Sequence, residues 1–167
     1  MAAISQTDND RVLRLVGGIV LTSQEAERYL KIILPFLGSD DPNLGSALRK
    51  GEKLQKKMLG QLVGHFVDST TSDSLDFAQH MARLVASRNE VVHHFNDTYG
   101  AQLQAGDLAS VFASLQTLLS NLTIFRSTTE QIALVILEGL RDVTFANTPE
   151  YDQMAELCSS FRQRVAS

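Results

Sequence analysis

The chain has 167 residues, 44% of them hydrophobic, and a formal net charge of −4. That is enough apolar material for a domain with a core, and it excludes general disorder. The acidic balance argues against a general nucleic-acid coat, because phosphate neutralisation normally supplies such affinity.

Leucine, alanine and glutamine are plentiful and only three prolines occur, which favours helix over sheet. A first helix is predicted from about Asp10 to Phe36, since Leu13, Val16, Ile19, Ala26, Leu30 and Ile33 share one face. Asp8 or Asp10 is its expected cap. Gly17-Gly18 costs it about 1 kcal/mol per glycine and predicts either a close helix crossing or a kink. Gly38–Asn43 is a loop by composition. A second helix follows, from Leu44 or Glu52 to Val67. The polar linker Asp68–Ser74 ends in Asp73 or Ser74, either of which suits the N-cap of a third helix, about Leu75 to Asn96. Tyr99-Gly100 and Gly106 mark its end and the next connection.

Asp107 is expected to cap a long fourth helix carrying Leu108, Val111, Leu115, Leu118, Leu122, Phe125, Ile132, Ile136 and Leu140. Ser127-Thr128-Thr129 is the one place where it could break. Thr148-Pro149-Glu150 reads as cap, first-turn proline and acidic first turn of a last helix reaching Val165. No run alternates with period two long enough to suggest a sheet, and no period of about 20–50 residues repeats. The expected fold is all-α: one domain over residues 1–167, built as a five-helix, mainly up-and-down bundle.

The only cysteine is Cys158, so no intramolecular disulfide forms. There is no CxxC or Cys/His zinc pattern, and neither a metal nor a cofactor is expected. The N-terminal MAAISQTDND is too polar for a signal peptide. Uninterrupted apolar runs are too short to span a bilayer. The expectation is a cytoplasmic protein with no membrane partner.

The predicted third helix holds one anomaly. Phe77, Met81, Leu84, Val85, Val91, Val92 and Phe95 form an apolar stripe, with Arg83, Gln79, Glu90 and Asp97 opposite. Arg88 falls at the centre of the stripe, where leucine would be expected. Asn89 and His93 sit along one edge, one turn apart, and His94 toward the other. A guanidinium keeps its proton, so in an apolar setting it needs a partner. Arg88 is either a structural ion-pair residue or a cation held to meet an anion. Beside it, His93 can take and give protons near neutral pH, and the combination suits phosphoryl chemistry.

The segment Ser87-Arg88-Asn89-Glu90-Val91-Val92-His93-His94-Phe95 resembles the signature of the HEPN superfamily. That signature is an arginine, commonly a polar residue next, then a histidine after four to six intervening residues. Arg88, Asn89 and His93 fill the three positions, late in a helix that follows a long first helix. The resemblance implies a metal-independent endoribonuclease in which two copies of the motif face each other across a homodimer seam. His93 would then assist attack of the ribose 2′-hydroxyl on the adjacent phosphate. Arg88 would stabilise the phosphorane-like transition state, and Asn89 would orient the pair or contact the phosphate. A toxin or phage-defence role is also implied, with an antitoxin or regulatory protein as a further partner. One toxin branch carries a tyrosine two residues after the histidine. Here Phe95 stands there, and Tyr99 lies one turn beyond.

Arg49, Lys50, Lys53, Lys56 and Lys57 form the only dense basic run. It is either a solvated helix face or a platform for the RNA backbone. His93-His94 diverge by about 100° on a helix and so do not suit one metal ion. His65 with Asp68, and His80, read as surface or capping residues. Gly60–Gly64 lacks the lysine of a phosphate loop, and no GxSxG nucleophile motif occurs. Cys158 is expected to be a small packing residue. The rival to an enzyme is a non-catalytic helical dimerisation or interaction module. A third alternative is a regulatory subunit that binds RNA or nucleotide without cutting it.

Overall fold

The computed structural model describes residues 5–37, 43–70 and 75–165. Among these residues every regular element is helical. In order they are α1 (Gln6–Ile33), a 3-10 turn (Leu34–Phe36), α2 (Leu44–Leu54), α3 (Leu59–Thr70), α4 (Leu75–His93), α5 (Phe95–Ala105), α6 (Leu108–Gly139), a π turn (Leu140–Thr144) and α7 (Tyr151–Val165). The five predicted helices become seven among the described residues: the second is split at residues 55–58, and α5 forms over the stretch read as the end of the third helix and its connection.

α1 begins earlier than its expected acidic cap. Ser5 Oγ accepts from the amide of Asp8 at 3.1 Å and donates to the Asp8 carboxylate at 2.6 Å. This reciprocal arrangement satisfies the first turn before Asp10 is reached. The helix runs straight through Gly17-Gly18. A Cβ at Gly18 would lie 3.3 Å from Leu119 of α6, so this glycine does mark a close crossing. Leu13 is 60% exposed, and Val12 takes the buried position instead.

The break between α2 and α3 has a tertiary cause. Glu27 Oε1 of α1 accepts from the amide of Leu59, and Lys31 Nζ donates to the carbonyl of Gln55. Gln61 Oε1 also accepts from the amide of Met58. These contacts satisfy the backbone groups that a broken helix exposes. Glu27→Ala should therefore lower stability by about 0.5–2 kcal/mol, as losing a helix cap does. Urea unfolding would measure this, and an unchanged midpoint would show that α3 does not need the cap.

Asn43, expected in a loop, instead caps α2 through its side chain, which accepts from Ser46. Residues 38–42, and the proposed caps Asp73 and Ser74, lie outside the described residues. α5 continues through Tyr99-Gly100 and ends at Gly106, whose φ of 77° suits glycine. Asp107 caps α6 as expected, accepting from Ser110. α6 does not break at Ser127-Thr128-Thr129; Thr129 is fully buried. α7 starts at Tyr151, after Pro149; the Thr148 hydroxyl donates back to the Phe145 carbonyl, and the Tyr151 amide donates to the Thr148 carbonyl in a turn that precedes the helix.

The backbone divides into two compact units: Met1–Glu25 with Ser74–Arg126, and Ala26–Asp73 with Ser127–Ser167. In the first, α4 packs on α5, and the core draws on Ile19, Met81, Leu84, Val91, Leu115 and Leu122. In the second, α2 and α3 pack on the 3-10 turn, and Leu30, Ile33, Leu59, Leu62, Leu137 and Met154 are fully or almost fully buried. Tyr29 meets Phe161 edge-on with centroids 5.5 Å apart. Cys158 is a packing residue of α7, 2% exposed, and burial pushes its thiol up from the ordinary range.

The stretch Leu108–Thr144 is long and apolar enough to cross a membrane by length and composition, with a mean hydropathy of 1.4 over its best window. Its apolar runs are short, yet the average over the helix is high. A mostly buried core helix of a water-soluble protein meets the same measure; here 33% of the window is buried.

Candidate active site

α4 buries Met81, Leu84, Arg88 and Val91, which recur at helical spacing on one face. Arg88 thus occupies the centre of the apolar stripe, 6% exposed, as its position in the sequence indicated. It is a partnered guanidinium. Nη1 donates to Asn89 Oδ1 at 3.1 Å. Asn89 is itself exposed. With its oxygen engaged by a cation, its amide N–H groups remain to meet an anion, and the charge polarises them for that task.

His93 is exposed and lies one turn beyond Asn89, so the two share a face. The helix ends there because His94 leaves helical geometry, with φ −130° and ψ 28°. The His93 and His94 rings are edge to face, with centroids 6.4 Å apart. Five positions separate Arg88 from His93, which turns them about 140° apart on the helix. Asn89 stands between the two directions. The arrangement is a cation beneath, an amide over it and an imidazole alongside.

Arg49, Lys50, Lys53, Lys56 and Lys57 lie on α2 and the turn after it, in the second unit. Four are exposed and Lys57 is half-buried. The structure thus brings Arg88 and Asn89 together, carries His93 on the same helix, and gathers the basic residues on a separate element. His65 and Asp68 are exposed on α3. Among the described residues no group of three His, Cys, Asp or Glu side chains is placed to hold a metal ion.

Sequence reasoning missed a cleft in the first unit. Its volume is about 600 Å³. His80, Arg83, Ser87 and Glu90 form its α4 wall, facing Thr117 and Asn121 of α6. Leu84 and Leu118 supply apolar surface, and Tyr99 of α5 contributes a phenol. Burial raises the Tyr99 hydroxyl above its usual range, and the nearby Glu90 charge adds to the effect, so the phenol remains a donor. The α4 wall recurs at helical spacing, but that pattern alone looks like any solvated face. The opposing polar residues of α6 give it shape. Compared with known proteins, the chain matches no family model, no curated protein and no solved structure.

Proposed function

We propose that the chain is a metal-independent endoribonuclease of the HEPN type, acting as a homodimer. The observation that carries this is the stacking of functions on the last turns of α4: buried Arg88 bonded to exposed Asn89, with exposed His93 one turn on. His93 takes the proton of a ribose 2′-hydroxyl. The 2′-oxygen attacks the neighbouring phosphorus, the bond to the 5′-oxygen breaks, and that oxygen is protonated as it leaves. The product is a 2′,3′-cyclic phosphate. Asn89 donates to the phosphate oxygens as negative charge grows, and Arg88 supports that charge from behind. Two copies of the motif supply two imidazoles, one to take the proton and one to return it. The basic face of α2 is, by itself, a candidate platform for an RNA backbone. A toxin or phage-defence role, under control of a partner protein, fits a nuclease of this kind.

Purified protein should cleave single-stranded RNA in excess chelator and leave cyclic-phosphate ends, read by end-group analysis. Inert protein that still dimerises would overturn this proposal. It would favour a helical interaction module, a reading supported by the 94% burial implied by Arg88's 6% exposure within a single chain. In that module Arg88 is a structural tie, and exposed Ile124 and Val135 of α6 belong to the partner surface.

A further inference from the structure

We propose that the cleft between α4, α5 and α6 is a base-reading subsite for a guanine nucleotide of single-stranded RNA, with the base edge at Glu90 and Tyr99 and a phosphate at Arg83. Its RNA source rests on the ribonuclease reading, whereas the chemistry of the cleft stands by itself.

Arg83 and Glu90 are seven residues apart on one helix, so they lie about 10 Å apart along the axis on nearly the same face. The wall therefore presents a cation near one end and a carboxylate near the other. A matching ligand carries an anion at one end and N–H donors at the other. A nucleoside phosphate has this polarity. Guanine places N1–H and N2–H side by side, and together they form a two-bond fork with a carboxylate. Adenine and cytosine set an acceptor beside their amino group, and uracil flanks its single N–H with carbonyls that a carboxylate repels. The adjoining O6 of guanine accepts from a neutral phenol, which Tyr99 supplies.

The rest of the cleft fits the same ligand. Leu84 and Leu118 offer apolar surface to a base face. Thr117 gives its own hydroxyl proton to the Ala113 carbonyl at 2.8 Å, leaving oxygen lone pairs for a ribose hydroxyl. The volume of about 600 Å³ falls within the range of small-ligand sites. His93 follows Glu90 by three residues, so the imidazole lies beyond the base end of the cleft, about 15 Å along α4 from Arg83, and does not line it. The link that is cut therefore belongs to a neighbouring nucleotide that continues past Glu90 toward His93.

The test is fluorescence anisotropy with a labelled uridine hexamer carrying one central guanosine, 2′-fluorinated at every position so that no 2′-hydroxyl remains to cut it. Matched hexamers carry 2′-fluoroinosine or 2′-fluoroadenosine. The guanosine hexamer should bind about tenfold or more tightly than either, because inosine lacks only the N2 amine. Glu90→Gln should erase the preference, and Arg83→Ala should weaken all three hexamers alike. Equal affinities, or a preference that survives Glu90→Gln in a variant with an unchanged circular-dichroism spectrum, would overturn the proposal. Guanosine 5′-monophosphate is the competing arm. If it binds as tightly as the hexamer, the occupant is a free nucleotide and the RNA assignment fails. Wild-type cleavage with no guanosine preference overturns the subsite alone. Guanosine-selective binding with no cleavage of any RNA overturns the ribonuclease reading and upholds the cleft.

Discussion

His93→Ala should lower RNA cleavage by about 10²- to 10⁴-fold, the usual contribution of a positioned proton carrier. The same change should move the thermal midpoint little, because the ring is exposed and surface substitutions generally fall within about 0.5 kcal/mol. Arg88 behaves differently. It is 6% exposed and bonded to Asn89, so Arg88→Ala removes a buried side chain as well as a charge. Activity and stability should both fall. Arg88→Lys separates the two effects: it keeps the cation and much of the stem but not the planar fork. Under the ribonuclease proposal, Arg88→Lys should retain a fraction of the cleavage that Arg88→Ala loses, at equal folded fraction. Full cleavage by His93→Ala would remove the imidazole from the chemistry and end that assignment.

Leu122→Ala should destabilise the protein by about 2–5 kcal/mol. Leu122 is 0% exposed on α6, so truncation removes buried methyl groups and leaves a cavity that its neighbours only partly fill. Against a typical total of about 5–15 kcal/mol, such a loss is large. Ile124, two residues on, is 63% exposed and provides the control: Ile124→Ala should change stability by less than about 0.5 kcal/mol. Denaturant midpoints of the two variants make the comparison. Similar midpoints would contradict the assignment of the buried face of α6.

Long periodic segments were legible from the residues alone. α1, α6 and α7 stand close to where their patterns put them, and Arg88 lies at the centre of its stripe. The failures have physical reasons. On α6 the apolar pattern predicted Ile132 and Ile136 in the core, yet the buried positions after Phe125 are Thr129, Ala133 and Leu137. A threonine and an alanine carry the inward face there, and neither announces itself as core. The α2–α3 break depends on Glu27, 32 residues away, so no local pattern reports it. The α4–α5 break falls at His94 with no glycine or proline to mark it. Of the candidate site, the order Arg88, Asn89, His93 was visible, but the bond that makes Asn89 the middle member was not. The cleft was hidden because it requires α4 and α6 to face each other.

Cys158 is the chain's single cysteine, and its sulfur is held inside while burial disfavours the thiolate. An alkylating reagent therefore reacts only when α7 lifts from its neighbours. Labelling speed in native buffer becomes a direct clock for that local opening. Because nothing else in the molecule bears a sulfhydryl, every modified chain counts one excursion of this helix, without a probe having to be engineered in.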